Sequence, residues 1–123
     1  MIDLFLDDLR PYPKGFHIAR TVEEAVSICE SNNIRRLSLD HDLGGVTGQY
    51  TRTGYDFCKW LVEKWVLGDY LTLPEAIFLH TSNPVGRDNM RQILLRYNPG
   101  EVKVYNSPMP EYNLATGGFF EDF

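Results

Sequence analysis

The sequence predicts an α/β domain built on a parallel sheet, on three observations. Short apolar runs alternate with segments of helical periodicity. The apolar runs are nearly continuous, as strands buried on both faces require. Two of them end in acid clusters: Ile2-Asp3-Leu4-Phe5-Leu6 runs into Asp7-Asp8, and Leu37-Ser38-Leu39 into Asp40-His41-Asp42. In open parallel sheets ligands bind at the carboxyl ends of the strands. The pattern therefore marks a site as well as a fold.

Each element follows from its residues. Met1 to Leu6 is the first strand. Pro11 and Pro13 exclude a helix over Leu9 to Gly15. Phe16 to Ala19 is a short second strand. Thr21-Val22-Glu23-Glu24 reads as a capping box opening a helix that buries Val22, Ala25, Val26 and Cys29 and ends near Asn32-Asn33. Ile34 to Leu39 is the third strand. After a glycine-rich loop over Gly44 to Thr53, Thr53-Gly54-Tyr55-Asp56 resembles another capping box and opens a helix to about Leu67, with Phe57, Leu61 and Trp65 on one face. Ala76 to Leu79 is the fourth strand, ending in His80-Thr81-Ser82-Asn83. A helix is expected from about Arg87 to Tyr97, with Met90, Ile93 or Leu94, and Tyr97 inward. Val102 to Tyr105 is the fifth strand. The first crossover, about eight residues long, is too short for the usual helix. An extended chain of that length spans roughly 25 Å and recrosses a short strand without one. One face of the sheet is thus expected to be thinly covered near the first two strands.

With 123 residues the chain is expected to form one α/β domain over 1–106, followed by an irregular tail over 107–123 packed on the domain or extending from it. The net charge of −5 argues against long nucleic acid and membrane surfaces, which select basic faces. The amino terminus enters a strand with an acid at its third position, so no secretory signal is expected. Cys29 and Cys58 lack Cys-x-x-Cys spacing and sit beside apolar neighbours. They read as reduced core thiols of a cytoplasmic protein.

The chemistry concentrates on the rim. Asp7, Asp8 and Asp40 are oxygen ligands at adjacent strand ends, the donor type of Mg²⁺ or Mn²⁺. Asp42 is an orienting partner for His41 or a turn residue. His41 and His80 share the rim and suit general acid and base roles, with Asp40 and Asp42 alongside. Ser82, Asn83 and Gly86 precede a helix amino terminus, an anion-binding geometry. Arg10 is placed to clamp a phosphate or to pair with a nearby acid. Arg52 and Tyr50 lie in the loop above the rim, where they can close over a substrate.

The order of parts resembles the receiver domain of two-component signalling. Asp7-Asp8 look like its metal-binding acids, and Asp40 stands where its phosphoacceptor aspartate would be. The departures are specific. The first helix is missing and the last is not evident. His80 replaces a Ser or Thr, and Asn106-Ser107-Pro108 replaces a Lys-Pro. A closer resemblance is to the cyclic-phosphate processing receiver-like family. It is carried by Leu6-Asp7-Asp8-Leu9-Arg10, Ser38-Leu39-Asp40-His41-Asp42-Leu43-Gly44, Thr53-Gly54-Tyr55-Asp56 and His80-Thr81-Ser82-Asn83-Pro84-Val85-Gly86-Arg87-Asp88-Asn89-Met90. The resemblance implies a receiver-like (flavodoxin-like) three-layer fold with a five-stranded parallel sheet, and a role in hydrolysing cyclic phosphates.

Three functions are then expected in turn. The first is a metal-dependent phosphoesterase acting on a cyclic nucleotide or a cyclic-phosphate nucleic-acid end. The second is a noncatalytic receiver-like module that binds a nucleotide or a protein partner. The third is a phosphorylatable receiver with Asp40 as acceptor.

Overall fold

Five strands, β1 (Ile2–Leu6), β2 (His17–Ala19), β3 (Ile34–Leu39), β4 (Ala76–Leu79) and β5 (Lys103–Tyr105), form one sheet in the order β2-β1-β3-β4-β5. Every pairing is parallel. This is the flavodoxin-like order, whose topological switch point lies between β1 and β3. Among the described residues there are three helices, α1 (Val22–Ser31), α2 (Gly54–Val66) and α3 (Pro84–Tyr97). A short antiparallel ladder pairs β6 (Tyr112–Asn113) with β7 (Gly118–Phe119). The computed structural model describes residues 1–12, 14–43, 52–69, 73–109, 112–113 and 118–119.

Strand side chains alternate between faces, and the two faces are built differently. Leu4 and Leu6, Leu37 and Leu39, and Ile77 and Leu79 fall on one face. They share a core with Val22, Ala25 and Cys29 of α1, Phe57 and Leu61 of α2, and Met90 and Leu94 of α3. Each fully buried side chain of this kind stabilises the fold by about 1.5–3 kcal/mol. The opposite face holds Phe5, Phe16, Phe78 and Met109, with Ile18 and Ala76 partly buried beside them. No helical residue belongs to that cluster. Phe16 meets Phe5 edge-on at 6.5 Å, and Arg36 lies over the Phe16 ring at 5.4 Å. Among the described residues no helix joins β1 to β2, so the expected thin face is present and its cover is irregular chain. Met109 of the tail is fully buried in it.

The carboxylate of Asp3 ties the amino end of this face to β3. It accepts from Arg35 Nη2 at 2.6 Å and Arg36 Nη2 at 3.0 Å. Burial opposes its ionisation, but the two guanidiniums outweigh burial and lower its pKa to about 2.

Three expectations need correction. Helix α3 begins at Pro84, not Arg87. Asn83 is its N-cap and accepts from Gly86 N, and proline is well tolerated at the first helical position, where no N–H is needed. Tyr97 is 39% exposed rather than inward, while Met90 and Leu94 are buried. Thr21 caps α1, but Glu24 accepts from Arg20 N rather than from the cap residue. The box at Thr53 is complete in both directions. Cys29 and Cys58 are free and buried; burial and the charge of Glu30 push the Cys29 thiol up to about 12. Among the described residues no helix is long and apolar enough to cross a membrane.

Candidate functional site

The parallel ladder sets the ends of β1, β3 and β4 side by side. Asp40 N donates to Leu6 O, and His80 N donates to Leu39 O. Asp7, Asp40 and His80 continue the alternation of Phe5, Ser38 and Phe78, so they belong to the helix-free face. His41 continues the phase of Leu39 and belongs to the helical face. The rim therefore divides into two halves.

The inner half is buried and saturated. Asp7 is fully buried, and its Oδ1 accepts from the backbone N–H groups of Leu9 and Arg10, each at 2.9 Å. Its Oδ2 accepts from Arg10 Nη1 at 2.8 Å and pairs with His80 Nε2 at 3.0 Å. Burial alone would raise this carboxyl's pKa. The donors from His80, Arg10 and the backbone hold it well below the usual carboxylate range. An ionised carboxylate only accepts, so His80 Nε2 is the donor. The other ring nitrogen, Nδ1, shares a 2.7 Å hydrogen bond with the Ser38 hydroxyl. The ring stacks on Phe5, with centroids 4.5 Å apart and planes within 4°. His80 is thus enclosed, with both nitrogens engaged, and does not open onto the rim as an acid or base would.

Arg10 bridges the acids. The same Nη1 reaches Asp40 Oδ2 at 3.2 Å, while Asp40 Oδ1 accepts from His41 N at 2.8 Å. Arg20 fastens the turn from beneath: its Nη1 donates to the carbonyls of Asp7 at 3.1 Å and Arg10 at 2.8 Å.

The outer half is more open. His41 Nδ1 lies 2.8 Å from Asp42 Oδ1. Asn83 Nδ2 donates to both Asp42 oxygens, at 3.1 and 3.3 Å. His41, then opposition from burial, then Asn83 set the Asp42 carboxyl, with a net shift downward. The His41 ring rests against Gly86 of α3, where a Cβ would collide with it. Gly54 of α2 is equally constrained: a Cβ there would strike the Asp40 carbonyl. Gly54 N donates to His41 O at 2.8 Å. Two glycines thus let two helices close directly onto the end of β3.

Asp8, Leu9, Arg10, Asp40, Asp42 and Ser82 line a cleft of about 430 Å³, with Asp7 among its walls. A larger cavity of about 530 Å³ lies at the amino ends of β4 and β5. Its charges are mixed, with Arg36 and Lys103 beside Glu75 and Glu101, and no His joins them. The smaller cleft is the one lined by residues that the sequence singles out, among them Asp7, Asp8, Arg10 and Asp40.

Several expected substrate contacts are otherwise engaged. Asn83 is spent on Asp42 and on capping α3. Gly86 N donates to Asn83 Oδ1, and the His41 ring lies where a Gly86 Cβ would stand. Arg52 is paired with Glu23 of α1 at 3.2 Å and does not line the cleft. Ser82 is exposed in the cleft wall. Tyr50 lies outside the described residues. Ser38 and Arg20 escaped sequence reasoning. A strand serine and a surface arginine carry no local signal, although Ser38 shares the strand phase of Asp40.

Ligand atoms of Asp7, Asp40 and His80 lie within 4.8 Å of one another. Asp8 lies outside that group but lines the same cleft. Burial, then the charges of Asp7 and Asp40, raise the Asp8 pKa, and a cation would relieve that crowding. The carboxylates of Asp7, Asp40 and Asp8 are the oxygen donors that a hard divalent cation such as Mg²⁺ or Mn²⁺ takes, while both nitrogens of His80 are already engaged.

Neither a curated protein nor a solved structure matches the chain. A family model described as the cyclic-phosphate processing receiver domain matches residues 2–96. That span contains the first four strands, α1, α2, all of α3 but Tyr97, and every residue of the cleft. The chain belongs to the family of cyclic-phosphate processing receiver domains.

Proposed function

We propose that this domain is a phosphoesterase that opens cyclic phosphates of nucleotides or of nucleic-acid ends, with His41 as general base. The observation that carries the reading is the chain of contacts Asn83–Asp42–His41 beside the acidic cleft. Asp42 accepts a proton-bearing Nδ1, which leaves Nε2 as the basic nitrogen, the arrangement that activates a nucleophile in hydrolases. Asn83 holds Asp42 in turn. Water attacks phosphorus and gives its proton to His41 Nε2. A new P–O bond forms, one ring P–O bond breaks, and solvent reaching the open cleft protonates the departing alkoxide.

Asp7 and Asp40, with Asp8 beside them, would hold a divalent cation. Bound there, it would supply Lewis-acid polarisation of the phosphoryl oxygens. Arg10 and the Ser82 hydroxyl offer donors to a phosphate in the cleft. His80 acts through Asp7, holding that carboxylate in one orientation. The acidic net charge favours small nucleotides over long strands.

The test is a panel of cyclic mono-, di- and oligonucleotides assayed for binding and for turnover, with and without Mg²⁺ and Mn²⁺. The reading expects metal-dependent release of a linear phosphate ester from at least one member. Tight binding with no turnover under any condition would make the domain a nucleotide-binding module instead.

A further inference from the structure

We infer that Arg10 is the site's own cation: it holds Asp7 and Asp40 together in the metal-free protein and has to be displaced before a divalent ion enters. This rests on the metal reading above and adds a competitor to it. One nitrogen, Arg10 Nη1, lies 2.8 Å from Asp7 Oδ2 and 3.2 Å from Asp40 Oδ2. It thus sits where the two carboxylates converge, between residues that also make up the candidate cation group.

Asp7 has no vacancy. A carboxylate offers about four lone-pair sites, and Asp7 accepts from Leu9 N, Arg10 N, Arg10 Nη1 and His80 Nε2. An incoming ion has to replace one of them. The two amides belong to the backbone turn, and His80 is enclosed between Ser38 and Phe5. The Arg10 side chain is 24% exposed and sits on a long flexible stem. It is the donor able to leave. Arg20 grips the carbonyls of Asp7 and Arg10, so the backbone stays in place while the guanidinium swings.

A displaced guanidinium remains tethered at the cleft without its contacts to Asp7 and Asp40. A phosphate anion there supplies new ones, bidentate and charge-assisted. Metal and phosphate should therefore help each other bind, and the coupling is reciprocal.

The test is calorimetric titration of Mg²⁺ and Mn²⁺ into the full chain, its Arg10→Gln variant and its Arg10→Lys variant, with melting temperatures alongside. Removing the competing charge at contact distance should tighten metal binding on the order of tenfold or more in Arg10→Gln. The variant should melt lower than wild type without metal and gain more from added metal. Arg10→Lys keeps a charge but not the planar fork, and should bind metal with intermediate affinity; it carries the test if Arg10→Gln fails to fold without metal. Inorganic phosphate should tighten metal binding in wild type and not in Arg10→Gln. Equal or weaker metal binding in both variants, with wild-type binding intact, overturns the role of Arg10 and leaves the metal reading standing. No binding in any of the three overturns the metal reading, and this inference with it.

Discussion

His41 follows β3 and His80 follows β4, one strand apart on the same rim. His80 falls in phase with Phe78, on the helix-free face. It is enclosed, stacked on Phe5 and bonded through both nitrogens. His41 falls in phase with Leu39, on the helical face. It rests on Gly86, and its Nδ1 is held by Asp42. The same residue type at the same kind of position thus has two environments, and strand phase decides which. A ring with both nitrogens occupied can orient a neighbour but has nothing left for a substrate. A ring held by one nitrogen among the described residues, as His41 is, has a second to offer, and the proposed function uses it for proton transfer.

The contrast breaks most clearly on activity. Replacing His41 with Asn should lower turnover of a hydrolysed cyclic phosphate by about 10²–10⁴-fold, with a melting temperature close to wild type. The contrast fails if calorimetry shows His41→Asn melting as low as variants of His80. The converse change, His80→Ala, should cost about 3–5 kcal/mol in urea unfolding. It empties the space over Phe5 and strips partners from buried Ser38 and Asp7. A loss below about 1 kcal/mol would mean that the enclosed ring contributes little to the fold.

Gly86→Ala sharpens the contrast from the other side. A Cβ there collides with the His41 ring, so the ring has to move relative to Asp42. The expected result is a loss of turnover of roughly tenfold. The clash should cost about 1–3 kcal/mol, offset by up to about 1 kcal/mol of helix propensity. Unchanged kinetics would show that the ring's seat on α3 is unimportant.

The smallest effect tests whether the far end of the sheet is independent of both histidines. The Asp3 carboxyl has its pKa lowered from 3.8 to about 2. A lowered folded pKa contributes stability above the unfolded value and loses it as pH falls through the folded one. Melting temperature should therefore fall between about pH 4 and pH 2, and Asp3→Asn should flatten part of that slope. Because Arg35 and Arg36 are partly exposed, Asp3→Asn should cost only about 1–2 kcal/mol at neutral pH. A pH profile identical to wild type would discount the arginine pair.

Much of this was legible in the residues. Strands β3 and β4 have the bounds expected from the sequence, and the capping box at Thr53 is complete. The start of α3 was not legible, because Asn83-Pro84 reads equally as a turn and as a cap followed by a first-turn proline. That the site acids gather on one rim was legible from the strands they follow. What they bond to was not. Ser38 beneath His80, Arg20 beneath Arg10 and Asn83 on Asp42 are contacts across 42, 10 and 41 positions of chain. No local pattern records such pairings. The displacement of Arg52 onto Glu23 is of the same kind, a pairing across 29 positions.

Cys29 and Cys58 turn the helical core into its own clock. One thiol sits in α1 and the other in α2, both free, buried and held in the unreactive protonated form. An alkylating reagent can reach neither until its helix lifts from the sheet. The rate of modification at each therefore counts local openings, helix by helix, on the scale from fraying to global unfolding. Because α2 begins at Gly54 against the Asp40 carbonyl, a ligand that stiffens the end of β3 should slow the Cys58 clock more than the Cys29 clock. Occupancy of the cleft then becomes readable by mass, with no substrate turnover.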